Sequence, residues 1–172
     1  MEKILKKSFQ LKEIGIRLIE EKDNLQLASI IRDTLKEFGA NHPGTVYYDE
    51  STDHLFQVFQ NEPRSIYYVA ETKNEIVGGA GIFPSPGLPD HTCELVKMYL
   101  LPEARGIGLG KKLIEKCIDA AKEKNFKYIY LETMPELKQA LHTYEKFGFE
   151  YLDGPMGNTG HFGCDRWMLK QL

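Results

Sequence analysis

The chain has 172 residues, 42% of them hydrophobic and 27% charged, and 22 Lys and Arg against 25 Asp and Glu leave a net charge of −3. This length suits one domain around a single core, and the charge balance excludes the basic footprint of a general nucleic-acid binder. The apolar stretches are too short and too charged to span a bilayer, and the lysine-bearing start lacks the apolar segment of a secretory signal, so a cytoplasmic protein is expected.

Three scattered cysteines, Cys93, Cys117 and Cys164, form neither a zinc-ligand spacing nor an even disulfide set and read as free thiols; no metal is expected. One domain is expected over residues 1–172, with 1–13 as an N-terminal extension.

Taken in order, "IGIRLIE" (14–20) alternates as a strand, and "DNLQLASIIRDTLKEFG" (23–39) sets Leu27, Ile30, Ile31, Leu35 and Phe38 at helical spacing. Asp23 is suited to N-cap this helix and Gly39 to stop it. "STDHLFQVFQ" predicts a second helix. From Ser65 the runs "SIYYVAET", "EIVGGAGIF" and "CELVKMYLL" predict three strands, the first two joined by "TKNE" and the third set apart by the loop "PSPGLPDH".

Leu113, Ile114, Cys117, Ile118 and Ala121 then form one helical face. "KYIYLET" follows as a strand, "PELKQALHTYEKFG" as a helix ending at Gly148, and "FEYLD" and "CDRWMLKQL" as strands. The pattern is α+β: one mixed, mostly antiparallel sheet of about six to seven strands flanked by about four helices.

The stretch "LLPEARGIGLGKKLIEKC" places Gly106, Gly108 and Gly110 where a strand gives way to a helix. A helix N-terminus offers unpartnered N–H groups that attract anions, and glycines let those groups approach a phosphate closely. Arg105, Lys111 and Lys112 flank the turn with positive charge. An ordinary flexible loop would explain an isolated glycine pattern equally well. The triphosphate loop G-x-x-x-x-G-K-[ST] is absent, because Lys112 stands at its hydroxyl position. A dinucleotide fold remains a weak competitor, with Glu132 as its ribose-binding acid.

The segment "VKMYLLPEARGIGLGKKLIEKCI" resembles motif A of the GNAT superfamily of N-acetyltransferases, R/Q-x-x-G-x-G/A, through Arg105, Gly108 and Gly110. Downstream, "ALHTYEKFGFE" is similar to the family's A-x-x-x-Y-x-x-x-G-F segment through Ala140, Tyr144, Gly148 and Phe149. The resemblance covers nearly the whole chain. It implies acetyl-CoA as cosubstrate, its pyrophosphate on the main chain of Arg105, Gly106, Ile107, Gly108, Leu109, Gly110 and Lys111 and its pantetheine arm along Met98, Tyr99 and Leu100. It also implies a bulge in that strand whose free N–H receives the thioester carbonyl. The chain departs from the family where many members carry an Asn after the next strand; here "ETMPEL" leaves Glu132, Thr133 or the backbone to substitute.

Transfer to an amine needs a proton for the departing thiolate, and Tyr144 is the acid that the resemblance implies. Glu94 is the candidate base, with a solvent-facing strand position as the alternative reading, and His161 and Asp165 rank after it. Tyr47, Tyr48, His91 and His161 are candidate liners of the acceptor site, shaped by the first two helices and the loops "FPSPGLPDH" and "GPMGNTGHFG". The expected partner is a small-molecule amine attacking directly, and a homodimer is compatible with the family. A non-catalytic acyl-CoA sensor and a nicotinamide-dependent enzyme are the rival readings.

Overall fold

The structure, a computed structural model, describes residues 9–73 and 75–172. Residues 1–8 of the expected extension and Asn74 of the expected turn lie outside the described residues. The elements run β1 (Gly15–Leu18), α1 (Asn24–Glu37), α2 (Leu55–Gln60), β2 (Ile66–Glu71), β3 (Ile76–Phe83), β4 (Thr92–Leu100), α3 (Leu109–Glu123), β5 (Tyr128–Thr133), α4 (Lys138–Lys146), β6 (Glu150–Leu152) and β7 (Arg166–Gln171). The seven strands form one sheet in the order β1-β2-β3-β4-β5-β7-β6. Every neighbouring pair is antiparallel except β4 and β5. Among the described residues, no helix is long and apolar enough to cross a membrane.

Alternate residues of β2 feed opposite faces of the sheet, as strand geometry requires. Tyr67 and Val69 join Leu27, Ile31, Leu35 and Leu55 under α1 and α2. Ala70 joins Leu113, Ile114, Cys117 and Ile118 under α3. The helical faces read from the sequence are therefore the buried ones, except for Phe38, which follows the end of α1 and is exposed.

Helix ends follow local chemistry with one correction. Asp23 does not cap α1: its carboxylate accepts Glu20 N–H at 2.7 Å and two N–H groups of Arg17 at 2.7 and 2.9 Å, closing the preceding 3-10 turn. The Arg17 fork therefore decides where Asp23 points, above its helix-capping preference. Gly39, at φ +68, ends α1 as expected, with Gly39 N–H on Lys36 O and Ala40 N–H on Leu35 O. The second helix is entered through a 3-10 segment, Glu50–His54.

Two irregularities of β4 position the site. β4 and β5 pair only over Thr92–Glu94 against Tyr128–Tyr130 and separate beyond. Against β3, Gly79 pairs with Tyr99 but Gly81 with Val96, so Lys97 and Met98 oppose the single residue Ala80. This is a β-bulge, and Lys97 takes a left-handed φ of 49 within it. Tyr67 holds the bulge by donating its hydroxyl to Lys97 O at 2.8 Å. Room for its ring comes from β3: a Cβ on Gly79 or Gly81 would stand 2.7 or 2.6 Å from it.

Candidate active site

Where β4 and β5 part, a cleft of about 310 Å³ opens. One wall is the β4 edge from Val96 to Leu100, and the other is the β5 edge from Leu131 to Thr133. Peptide groups on a strand edge without a neighbouring strand are free to pair with an extended ligand. Met98 and Leu100 pack toward α3, whereas Tyr99 packs toward α1.

The glycine turn borders the same cleft. Gly106 and Gly108 sit at φ +74 and +89, and nothing lies within 4 Å of the side chain that Gly106 lacks, so the turn is open above its backbone. Gly108 is the N-cap of α3. The first helical bond runs from Lys112 N–H to Gly108 O, which leaves the N–H groups of Leu109, Gly110 and Lys111 without an intrahelical acceptor. Gly110 is an ordinary helical residue, where a Cβ would press on the flexible end of Met98 at 3.2 Å.

The flanking cations are held in two ways. Arg105 forks onto Glu37 with both contacts at 2.8 Å and donates Nε–H to Leu100 O at 3.0 Å, so its side chain braces the turn against α1 and β4. Lys111 and Lys112 are exposed.

On the α4 side, Tyr144 lines the cleft with its hydroxyl 3.8 Å from Met98 Sδ. It is the residue three from the helix end in a cap closed by Gly148 at φ +80: Phe149 N–H bonds Tyr144 O, and the two rings touch at 5.8 Å between centroids. The Gly-Phe pair thus fixes Tyr144. Burial pushes its phenol well above the ordinary value, so it stays protonated.

Glu94 occupies the last paired position of β4, at the fork itself. It is 4% exposed rather than solvent-facing, and it accepts a hydrogen bond from Ser85 Oγ. Burial pushes its carboxyl up to about 7 against the Ser85 bond, and neighbouring Glu132 adds to the rise.

Glu132 accepts hydroxyls from Tyr130 at 2.8 Å and Thr159 at 2.6 Å. His161 places Nε2 2.8 Å from Asp49 and Nδ1 3.5 Å from Glu132. Burial alone would lower the His161 pKa, but these acids raise it to about 9. Lys97, at the bulge, reaches Asp49 at 3.2 Å; burial lowers its pKa and Asp49 opposes that. Glu94, Glu132 and His161 bring ligand atoms within 4.8 Å of one another, close enough for a metal ion. Each of the three is already hydrogen-bonded within the protein.

Comparison with known proteins agrees with this geometry. Residues 28–149 match the Acetyltransferase (GNAT) family. The chain belongs to the GNAT acetyltransferase family. It is 42% identical over 158 residues to the uncharacterized N-acetyltransferase YjgM of Escherichia coli K12, covering 91% of this chain and 94% of that one. A GNAT-family acetyltransferase from Staphylococcus aureus Mu50 shares the fold at TM-score 0.77 and 22% identity, over 92% of this chain and 98% of that one. So does yncA, a putative acetyltransferase of Salmonella typhimurium solved with its cofactor acetyl-CoA, at TM-score 0.71 and 18% identity over 92% and 94%.

Within this GNAT domain, Glu94, Tyr144, the β4 edge and the glycine turn all border one cleft. His161 lies there too, but Asp165 is exposed and contacts only its neighbour Arg166. His91 is exposed against Tyr128 at the far end of β4, and Tyr48 is 59% exposed, so neither borders the cleft. Tyr47, half-buried, gives its carbonyl to Arg32.

The sequence reading missed Asp49, Lys97, Ser85 and Thr159. The two loops it singled out for substrate do meet, through Asn158 N–H on Pro86 O at 2.8 Å. Each delivers one hydroxyl, Ser85 to Glu94 and Thr159 to Glu132.

Proposed function

We propose that this GNAT domain transfers the acetyl group of acetyl-CoA to a primary amine by direct attack. The observation that carries the reading is the cleft between β4 and β5, bounded at one end by the open glycine turn and at the fork by a buried carboxyl near neutral pKa. Acetyl-CoA supplies a thioester whose C–S bond breaks as the new C–N bond forms.

The N–H groups of residues 105–111 hold its pyrophosphate, and the β4 edge at Met98, Tyr99 and Leu100 pairs with its pantetheine arm. Glu94 removes a proton from the incoming ammonium, directly or through one water, and Tyr144 returns a proton to the thiolate. Main-chain groups released by the bulge at Lys97 and Met98 support an oxyanion-type donor beside the reacting carbonyl.

Direct attack suits the thiols on hand. Burial pushes Cys164, which lines the cleft, up to about 12, leaving it a poor nucleophile at neutral pH. Three buried free cysteines also support a reducing compartment, the cytoplasm.

Thiol release from acetyl-CoA, followed across a panel of amines alongside calorimetry with CoA and NAD, tests the reading. Saturable turnover with CoA binding is expected. Binding of CoA without turnover on any amine identifies an acyl-CoA sensor instead, and binding of NAD but not CoA overturns the acetyl-CoA reading in favour of a dinucleotide on the same turn.

A further inference from the structure

A second cavity, of about 170 Å³, lies across Glu94 from the cleft, and the two share Glu94, Val96, Lys97 and His161 as walls. A group held in this second cavity can therefore meet the cleft only at the fork. Its apolar side is Val58, Phe59, Phe83 and Pro86. The space is open to solvent and polar on its other side, and in volume it is comparable to the engineered cavity of about 150 Å³ that accommodates benzene, so a body of that size fits against the apolar side.

The charges around it are unequal in a specific way. Lys97 and His161 are the cations, and they face Asp49 and Glu132 at 3.2, 2.8 and 3.5 Å. These four side chains, from β4, the loop before α2, β5 and the loop before β7, neutralise one another. Glu94 is left over: among the described residues, its hydrogen bond comes from the uncharged Ser85 hydroxyl. Once ionised it is an acid that forms no ion pair among the described residues: His161 and Lys97 favour its charge only from beyond salt-bridge distance, while each is held by Asp49.

We infer that the acceptor is a compact primary amine with an apolar body about the size of a benzene ring and no acidic group beside the nitrogen. This inference rests on the acetyl-transfer reading and narrows its acceptor. The ammonium group supplies the cation that Glu94 lacks. A carboxylate on the same carbon finds no free cation, because Lys97 and His161 must first release Asp49, and Glu94 and Glu132 repel it.

Matched pairs differing only by the α-carboxylate test this: phenethylamine against phenylalanine, benzylamine against phenylglycine, and isoamylamine against leucine. In acetyl-CoA turnover, the amine of each pair is expected to exceed its amino acid by at least roughly tenfold in kcat/KM. Equal rates or a preference for the amino acids overturn the inference and leave the acetyl-transfer reading intact. Calorimetry of the same compounds on the CoA-loaded protein separates the two ideas further. Binding of the amines, weakened in Glu94→Gln, with no thiol release sinks the transfer reading but not the pocket chemistry. Failure of every amine to bind overturns the inference.

Asp49→Asn provides an independent arm, since it removes the acid held by both cations. It is expected to shift the amine-to-amino-acid ratio toward the amino acid by about tenfold or more. An unchanged ratio in a folded variant counts against the charge argument.

Discussion

Tyr67 and Lys97 are joined by a hydrogen bond from phenol to peptide carbonyl, 2.8 Å long, that crosses from β2 over the glycines of β3 to the bulge of β4. It ties the irregular part of the central strand to a fully buried ring. Tyr67→Phe keeps the ring and leaves the Lys97 carbonyl short of a donor, at a cost of about 1–3 kcal/mol. Chemical denaturation should register that loss. Turnover should fall by more than the folded fraction does, because the bulge is free to relax; a variant with normal turnover would show that the bulge does not depend on Tyr67.

The glycine turn separates two kinds of requirement. Gly108→Val forces a branched side chain into left-handed backbone, a strain of roughly 1–2 kcal/mol, and is expected to raise the acetyl-CoA dissociation constant about tenfold or more. Gly110→Ala meets only the flexible end of Met98 and should be far milder. Calorimetry on both variants checks the order.

Tyr144→Phe removes the hydroxyl without disturbing the cap that holds the ring against Phe149. Turnover should drop by roughly 10²-fold with CoA affinity nearly unchanged. Unaltered turnover across the pH range would remove Tyr144 from the proton path.

Glu94 couples activity to pH and stability to the same proton. With its carboxyl near 7, kcat/KM should rise through that pH and level off above it, and Glu94→Gln should abolish the rise. In the unfolded chain the same group ionises near the ordinary 4.5, so between 4.5 and 7 the folded state holds the extra proton and stability declines as pH increases. The wild type therefore carries a penalty of about 3 kcal/mol above pH 7. Denaturation at pH 8 should find Glu94→Gln the more stable protein; equal stabilities at pH 5 and pH 8 in the wild type would contradict the raised carboxyl.

Periodicity and turn residues make most of this fold legible, because the helices bury one face each and end on local signals such as Gly39 and Gly148. The cap that holds Tyr144 is legible for the same reason, Gly148 and Phe149 lying within a few residues of it, whereas its role as an acid comes from the family resemblance alone. The bulge, which only the family resemblance implies, is not legible in the residues of β4, since it rests on Tyr67 of another strand and on side chains missing at Gly79 and Gly81.

Nor is the charged cluster, whose members lie far apart in the chain and come together through β4, β5 and the loops before α2, after β3 and before β7. The brace on Arg105 is not legible on the same ground: its partner Glu37 is 68 positions away. Asp23 erred differently, a good capping residue claimed by a nearer guanidinium.

The bulged strand also divides the protein into halves that tolerate change unequally. On the glycine side the contacts available are peptide groups, which persist through most exchanges of the residues that carry them. Beyond Glu94 they are individual functional groups borne on loops, where a single replacement rewrites the chemistry on offer. On the acetyl-transfer reading, descendants of such a scaffold can drift toward new acceptors while their grip on the acyl carrier stays the same.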